Sequence, residues 1–261
     1  MQKSNIFRRN PVLKRVAVAL KRLTLVNSSR YYLEQFNRRF AQSMVPGSMI
    51  LDAGAGNAPY KSLFKHVRYE SADFEKVDKP YASSTYVCDL CDRIPVEDGR
   101  YDYIVINQVL EHLANPGAAL AELSRVLKRG GRMLVSAPLF YEEHERPFDY
   151  YRYTQFAYGQ MFSRAGLAVD SIERLEGYFG TIAYMFECVF RHLPLLPSRK
   201  RAGVRATAFL VWPLVVFTKL WCFLLACVFY RLDMKYKLCD MGFPKNYVAM
   251  AHKPAAPPLA S

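Results

Sequence analysis

The sequence predicts an α/β protein whose core is a parallel β-sheet with helices packed against it. From Met49 onward, short strand-like segments alternate with helix-like segments, which is the pattern of parallel sheets with helical connections. The first strand runs directly into the glycine turn Ala53-Gly54-Ala55-Gly56, as in nucleotide-binding sheets. The 261 residues are 51% hydrophobic and 14% aromatic, which supplies a packed core and excludes wholesale disorder.

Before the sheet, residues 11–26 predict an amphipathic helix that opens at Pro11. Its apolar side chains fall on one arc: Val12, Val16, Ala19, Leu20, Leu23 and Val26. Its basic side chains lie roughly opposite: Lys14, Arg15, Lys21 and Arg22. The helix is expected either to pack on its own domain or to lie on anionic lipid, and the segment alone leaves both open. Its longest apolar run, at residues 16–20, is too short for a signal peptide.

The sheet and its helices follow in order along the chain. Strands are predicted at residues 49–52, 69–74, 85–90, 101–107, 132–137, 167–175 and 247–251. Helices are predicted at residues 116–128 and 154–165. The glycine pair at residues 130–131 precedes the fifth strand, and Gly166 ends the second helix.

Residues 206–230 form an apolar segment that carries one charge, Lys219, and one proline, Pro213. Its length suffices to span a bilayer, which takes about 20 apolar residues, but the lysine interrupts it. Basic residues border the segment on both sides: Arg199, Lys200, Arg201, Arg205, Arg231, Lys235 and Lys237. With Trp212 and Trp221, this pattern favours contact with an anionic membrane surface. The tail at residues 255–261 is expected to be disordered.

The net charge of +13 is distributed unevenly along the chain. Residues 1–48 carry +9, residues 49–190 carry −5, and residues 191–261 carry +9. The basic total therefore belongs to the two ends, and it does not indicate a uniformly basic nucleic-acid-binding protein. The six cysteines suggest no disulfide framework, so a reducing, cytoplasmic location is expected. Cys88 and Cys91 form a C-x-x-C pair without a second pair, and no metal site is predicted.

Acidic residues follow the early strands of the sheet at the positions where a nucleotide would bind. Asp52 enters the glycine turn of Gly54 and Gly56, whose missing side chains allow a ligand to approach the backbone. Asp73 ends the second strand, where a carboxylate can accept both ribose hydroxyls. Asp89, which Leu90 follows, ends the third strand near the expected position of an adenine amino group.

With Asn107-Gln108-Val-Leu-Glu111-His112 and Val126-Leu-Lys-Arg-Gly130-Gly131, these motifs resemble those of class I S-adenosylmethionine-dependent methyltransferases, including the quinone-biosynthesis-like type. The resemblance covers roughly residues 48–178. It implies a Rossmann-like seven-stranded sheet with an apolar helical insertion between the last two strands, and S-adenosylmethionine as cofactor. The implied cofactor-binding residues are Asp52, Gly54, Gly56, Asp73, Asp89, Leu90 and Gln108. The third glycine of the first motif is Ala58 here, which still permits close packing.

The loop after the fifth strand is expected to face the methyl acceptor. Its candidate substrate residues are Tyr141, Asp149, Tyr150 and Arg152. The alternative is a lid that only closes the cofactor site. A hydroxyl methyl acceptor benefits from a general base, for which His144 and His112 are the candidates. His112 belongs to a Leu-Glu-His-Leu stretch that opens a helix, where a structural role is favoured over catalysis. The loop also resembles those of methyltransferases for cell-surface polysaccharides and glycolipids.

The resemblance and the composition together predict the domain layout. Residues 1–47 form a basic helical segment, 48–178 the methyltransferase core, 179–243 an apolar helical insertion, and 244–254 the final core strand. The last two strands must pair in one compartment, so one complete membrane crossing between them contradicts the fold. A re-entrant hairpin bent near residues 213–219, or helices in the membrane interface, preserves it. A soluble helical subdomain or a dimer interface is the alternative.

The sequence therefore predicts a peripheral or monotopic methyltransferase on the cytoplasmic face of a membrane. It would transfer a methyl group in line to a small-molecule methyl acceptor, either lipid-linked or a glycan. A soluble small-metabolite methyltransferase and a cofactor-binding scaffold are alternatives, and the oligomeric state stays open. A nucleic-acid methyltransferase is less favoured, because residues 107–110 read Asn-Gln-Val-Leu where enzymes acting on base amines carry Asn/Asp-Pro-Pro-Tyr/Phe.

Overall fold

The computed structural model of the chain describes residues 27–193, 205–238 and 243–255. The predicted helix at 11–26 and the basic cluster at 199–201 lie outside these residues. The described residues form two compact units. One unit contains residues 29–176 with the segment from Phe243 onward, and the other contains residues 177–193 and 205–238.

The first unit is built on a seven-stranded sheet with the order β3-β2-β1-β4-β5-β7-β6. The strands are β1 (Met49–Ala53), β2 (Arg68–Asp73), β3 (Tyr86–Val87), β4 (Tyr101–Asn107), β5 (Leu127–Pro138), β6 (Ala168–Arg174) and β7 (Asn246–His252). Only β7 runs antiparallel, and it pairs with β5 and β6. This arrangement confirms the predicted Rossmann-like sheet. The direction in which successive strands are added to the sheet reverses between β1 and β4.

Three α-helices accompany the sheet in this unit: α1 (Ser28–Gln42), α2 (Pro116–Val126) and α3 (Gln155–Arg164). Helix α1 buries Tyr32, Leu33, Phe36 and Phe40 in a cluster with sheet residues such as Ile50. The cluster on the opposite side of the sheet contains residues of α2 and α3. Helix α1 thus belongs to the core unit, although its sequence precedes the core boundary expected at residue 48.

Two predicted strands differ from the structure in their bounds, one because of a hydrogen-bonded turn and one because of close packing at a glycine. Strand β3 has two residues rather than six, since Asp89 turns the chain by accepting from the backbone N–H of Cys91 at 2.9 Å. Strand β5 begins at Leu127, ahead of the glycine pair, and its register with β4 shifts there. A Cβ on Gly131 would lie 2.8 Å from the Lys128 carbonyl oxygen, so the shift requires glycine. The glycine turn of β1 leads to a 3-10 turn, Lys61–Phe64.

The second unit consists of two helices that pack together, α4 (Tyr178–His192) and α5 (Arg205–Tyr236). Helix α5 runs unbroken through Pro213 and Lys219, so the prediction of a re-entrant hairpin bent there is wrong. The Lys219 ammonium donates to the Leu193 carbonyl at 2.8 Å, which gives this charge a partner. Among the described residues, one helical stretch, Val211–Tyr236, is long and apolar enough to cross a membrane, and 17% of its most apolar window is buried.

The two faces of α5 differ in exposure. One stripe packs inside the unit and contains Cys222, Ala226, Cys227 and Tyr230. The helix also exposes a set of large apolar residues, here called the α5 apolar stripe: Val211, Trp212, Leu214, Phe217, Leu220, Trp221, Leu224 and Val228. The rings of Phe217 and Trp221 stack on each other with their centroids 6.2 Å apart. The described part of this unit therefore exposes aromatic and aliphatic side chains along α5.

Candidate active site

A cleft opens at the carboxyl ends of β1, β2 and β4, where the strand order reverses. Open sheets of this kind bind ligands at that reversal. The cleft encloses about 730 Å³ including its open mouth. Seven residues predicted from the sequence line it: Gly54, Asp73, Asp89, Leu90, Gln108, His112 and Tyr150.

Glycine is required at position 54 by two independent features of the first turn. Its φ is +74°, and a Cβ built there would lie 2.4 Å from a methyl group of Val109. The backbone at Gly54 therefore passes directly over Val109, the residue that follows Gln108. Gly56 has φ +54°, but a Cβ there would meet nothing within 4 Å. The tight turn keeps the backbone of the first loop close to the cleft.

Asp73 connects the end of β2 to the glycine turn. Its carboxylate accepts from the backbone N–H of Gly56 at 2.8 Å and from that of Glu75 at 3.1 Å. These two contacts fix the orientation of a carboxylate that lines the cleft. Each oxygen still has a lone pair for a ligand hydroxyl.

Asp52 lies beneath the cleft and does not line it. Its side chain is buried and accepts from the Tyr69 hydroxyl at 2.7 Å. Burial raises the pKa of Asp52 to about 6; the Tyr69 hydrogen bond opposes this shift and the charge of Asp73 adds to it. The structure therefore places this carboxyl against Tyr69, outside the lining of the cleft.

Gln108 reaches the cleft through an unusual backbone conformation. Its φ is +56°, and its backbone N–H donates to the Ser136 carbonyl of β5 at 2.8 Å. The side-chain amide also donates to the Ser136 hydroxyl, at 3.3 Å. Left-handed backbone is costly for a residue other than glycine, and it occurs mainly where surrounding contacts enforce it. Here the contacts to β5 hold the residue against the cleft.

The two candidate bases lie side by side. The Nε2 atoms of His112 and His144 are 3.1 Å apart, and their ring centroids are 4.6 Å apart. His112 lines the cleft, whereas His144 lies against the ring of Tyr141, with centroids 4.9 Å apart. Burial lowers the pKa of His112, which favours a neutral imidazole. The structure thus brings His112 to the cleft and His144 next to it.

The other predicted residues of the loop after β5 have two roles: one lines the cleft, and the others hold the loop in its conformation. Tyr150 lines the cleft and is half exposed. Asp149 pairs with Arg152 at 2.6 Å and accepts from the His144 backbone N–H at 2.8 Å. The hydrogen bond from Arg152 holds the pKa of Asp149 well below its usual range. Arg152 also donates to the Tyr141 carbonyl, at 3.1 Å, so this pair holds the loop in shape.

Sequence reasoning missed several cleft residues, because they lie on loops where no periodic pattern marks them. They are Phe74, Lys76, Lys79, Cys88, Val109, Leu113, Ala114, Glu145 and Phe148. Two pairs among them join the loop after β2 to the loop after β5. The Lys79 ammonium donates to both carboxylate oxygens of Glu145, at 2.8 and 2.7 Å, and Phe74 meets Phe148 edge to face at 5.3 Å.

Glu111 is a further residue to which the sequence assigned no role. Its side chain is fully buried, and neither carboxylate oxygen has a hydrogen-bond partner among the described residues. Burial raises the pKa of Glu111 to about 8. Its Oε1 lies 3.8 Å from Nε2 of His112.

Comparisons with known proteins agree with this geometry. Residues 27–171 match the family model of the methyltransferase domain. The ubiquinone/menaquinone biosynthesis C-methyltransferase of Paraburkholderia phymatum is 29% identical over 105 residues, covering 34% of this chain and 43% of that protein. The tRNA (carboxymethyluridine(34)-5-O)-methyltransferase alkbh8 of Xenopus tropicalis is 28% identical over 114 residues, covering 41% of this chain and 18% of that protein. The chain therefore spans less than half the length of these curated relatives.

The solved structure of geranyl diphosphate C-methyltransferase from Streptomyces coelicolor shares the fold. Its TM-score is 0.51 at 15% identity, and the match covers 86% of this chain and 79% of that chain. The family model, by contrast, spans more than half of this chain. The chain therefore belongs to the methyltransferase domain family, and its domain is of the class I type whose methyl donor is S-adenosylmethionine.

Proposed function

We propose that the cleft binds S-adenosylmethionine along the carboxyl ends of β1, β2 and β3. The chemistry of the residues fits this cofactor: the Asp73 carboxylate can accept ribose hydroxyls, and Asp89 with Leu90 can receive the adenine. The turn of Gly54 and Gly56, with Gln108, lies where the methionine part would follow. Both carboxylates line the same cleft beside a glycine turn, which is the observation that supports the assignment.

When bound, S-adenosylmethionine supplies an activated methyl group on a sulfonium centre. The protein's own residues then have to orient the methyl acceptor, exclude water and remove a proton where the acceptor is a hydroxyl. His112 stands at the cleft wall with a pKa lowered by burial, so its neutral ring can take that proton. Tyr150 would contact the methyl acceptor, while Asp149 and Arg152 position the loop that carries His144.

The methyl acceptor is proposed to be membrane-derived, either lipid-linked or a glycan carried on lipid. The α5 apolar stripe supports this, because exposed aromatic side chains beside basic residues are typical of surfaces that enter the interface of an anionic bilayer. Helix α5 has Arg231 and Lys235 in its last turns. The protein would thus act as a peripheral or monotopic enzyme on the cytoplasmic face of a membrane.

One alternative has a specific observation in its favour. Several relatives are named as tRNA methyltransferases, among them alkbh8 and the probable tRNA methyltransferase 9B of Homo sapiens, which is 28% identical over 105 residues. These matches cover 18% and 23% of those proteins. They support tRNA as a second candidate methyl acceptor, beside a soluble metabolite.

Transfer of a labelled methyl group separates these methyl acceptors. The full chain is incubated with methyl-labelled S-adenosylmethionine and, in parallel, with a total lipid extract, an aqueous metabolite extract or total tRNA. We expect label in the organic phase with the lipid extract, and about a tenfold or larger loss for Asp73→Asn, because that variant loses a charged contact to ribose. Label that enters only tRNA or only the aqueous metabolites would overturn the membrane-derived methyl acceptor.

A further inference from the structure

Three potential metal ligands meet beside the wall of the cleft. One ligand atom from each of Glu111, His112 and His144 can be chosen so that all three lie within 4.8 Å of one another. The Nε2 atoms of the two histidines are 3.1 Å apart, and Nε2 of His112 is 3.8 Å from Oε1 of Glu111. The three side chains come from two parts of the chain, the segment after β4 and the loop after β5.

The outer nitrogen of each ring is bound to a group that can only accept a hydrogen bond. Nδ1 of His112 lies 2.6 Å from the Phe148 carbonyl oxygen. Nδ1 of His144 lies 3.2 Å from the Glu142 carbonyl oxygen and 3.3 Å from the Asp149 carboxylate. A neutral ring that satisfies these contacts carries its proton on Nδ1, so both Nε2 lone pairs point into the same gap. Protein oxygens on the far ring nitrogen are the usual support of a metal-binding histidine.

The carboxylate beside this gap is also unsatisfied. Glu111 is fully buried, and neither of its oxygens has a hydrogen-bond partner among the described residues. A buried carboxyl group without a partner loses its hydration with no compensation. Three electron-pair donors thus converge on one point, and a cation in the gap would satisfy all of them.

We propose that Glu111, His112 and His144 bind a divalent first-row transition-metal ion at the wall of the cleft. Two nitrogens, each about 2.05 Å from a tetrahedral ion, lie roughly 3.3 Å apart, close to the observed 3.1 Å. Two imidazoles and one carboxylate suit zinc, iron, cobalt or nickel, whereas magnesium and calcium prefer oxygen ligands alone. Three protein ligands leave at least one coordination position open, as in catalytic zinc sites.

The open position gives the ion a role in choosing the methyl acceptor, and this part rests on the proposed function. His112 belongs to the lining of the cleft, so a ligand in the cleft can reach an ion bound to its Nε2. An ion there would bind an oxygen of the methyl acceptor and lower the pKa of a hydroxyl. Because the ion would occupy Nε2 of His112, the proton would then pass to water instead of to His112. Methyl acceptors with a hydroxyl or carboxylate oxygen would then be preferred over those without one.

The test is metal binding by the intact chain. The purified protein is stripped with a chelator and titrated with Zn²⁺ by calorimetry and with Co²⁺ by its visible absorption. We expect one equivalent to bind, and at least about tenfold weaker binding for Glu111→Gln and for His144→Asn, since even supporting residues of metal sites contribute that much. The matched control is His252→Asn, which removes a histidine that pairs with Asp170 on β6, and it should bind as the wild type does.

The outcomes separate this site from the cofactor site. Should Glu111→Gln fail to fold, His144→Asn carries the test, because His144 is 29% exposed on a loop. Binding of S-adenosylhomocysteine is measured on the same samples, so that loss of the cleft is recognised independently of loss of metal. The proposal is overturned if the wild type binds no stoichiometric Zn²⁺ or Co²⁺, or if His252→Asn weakens binding as much as His144→Asn does.

Discussion

Asp52 and Gly54 lie two residues apart at the end of β1, and the structure places a different constraint on each. Gly54 is fixed by sterics, because both its φ of +74° and the nearby Val109 methyl groups exclude a side chain. Asp52 is fixed by electrostatics, because its buried carboxyl has a raised pKa. The sequence predicted both residues as parts of one motif, but it could not show that only Gly54 reaches the cleft.

Gly54→Ala should destabilise the protein by about 2–4 kcal/mol, since left-handed strain and overpacking against Val109 add together. Gly56→Ala is the matched control, with φ +54° and no atom within 4 Å of its Cβ, and it should lose only about 1 kcal/mol. Denaturant unfolding measures both. Adding Val109→Ala to Gly54→Ala should recover part of the loss; equal losses for the two glycine variants would contradict this explanation.

Asp52 predicts a pH dependence with a defined sign. A pKa raised from 3.8 to about 6 means that the folded protein holds this proton more tightly than the unfolded chain does. Its contribution to stability is full below about pH 4 and is lost as the pH rises through 6. Asp52→Asn stays neutral and can still accept from Tyr69, so at pH 8 it should be more stable than the wild type by about 1–3 kcal/mol.

Urea unfolding at pH 5, 6 and 8 measures the difference in the free energy of unfolding between Asp52→Asn and the wild type. This difference should shrink toward low pH. Asp98→Asn is the control, since that carboxylate is 73% exposed beside Arg125 and should show no such gain at pH 8. If the difference in the free energy of unfolding stayed constant or grew as the pH fell, ionisation of Asp52 would not be what destabilises the folded wild type.

At the scale of elements, two loops close over the cleft by contacts that have no sequence signature. Lys79 in the loop after β2 pairs with Glu145 in the loop after β5, 66 residues apart in sequence. Neither loop has apolar residues at a regular spacing. The sequence therefore identified the loop after β5 only by its polar and aromatic residues. The pair is partly shielded, with side chains 32% and 26% exposed.

Breaking this pair should speed the exit of S-adenosylhomocysteine from the cleft. Lys79→Met is expected to raise the dissociation rate about three- to tenfold, the effect of roughly 1 kcal/mol. The charge swap Lys79→Glu with Glu145→Lys should restore much of the loss, which a direct contact between Lys79 and ligand would not permit. Stopped-flow release measures the rate, and Arg146→Gln, which breaks the exposed pair with Glu143 on the same loop, should leave it unchanged.

Helix α5 predicts a separate outcome, because its two faces can be altered independently. Replacing Trp212, Phe217 and Trp221 by serine removes aromatic area from the α5 apolar stripe and leaves the packed stripe intact. Flotation with anionic phospholipid vesicles should fall at least about tenfold, given about 1.5 kcal/mol or more for each buried aromatic side chain. Phe156→Ser is the matched control, since Phe156 is 77% exposed on α3. Unchanged flotation of the triple variant would contradict membrane contact through α5.

At the scale of the whole molecule, the sequence predicted the sheet more completely than the site. Strand β4 was predicted with its observed bounds, because an apolar run at residues 103–106 lies between the polar residues Asp102 and Asn107. Asp73 was predicted at the end of β2 and lies there. Asp89 was predicted at the end of the third strand, but β3 ends at Val87 and Asp89 lies in the turn that follows it. Glu111 and His144 could not be brought together from sequence, because they lie 33 positions apart with α2 and β5 between them. Only the folded loop shows that they are close.

The charge distribution of the whole chain is consistent with the proposed function. The segment that contains the cleft carries a net −5, while the two ends carry +9 each. An acidic core suits a cationic cofactor, and basic ends near apolar surface suit an anionic membrane. The described helix α5 lies within the second basic segment, so its apolar stripe and that charge occur in the same part of the chain.

Calorimetric titration of the intact chain with S-adenosylhomocysteine tests most directly the claim that this cleft is the cofactor site. The wild type should bind one equivalent, Asp73→Asn should bind at least about tenfold more weakly because a charged hydrogen bond is lost, and Asp98→Asn should match the wild type. Equal affinity of Asp73→Asn and the wild type, or no binding by the folded wild type, would contradict the account.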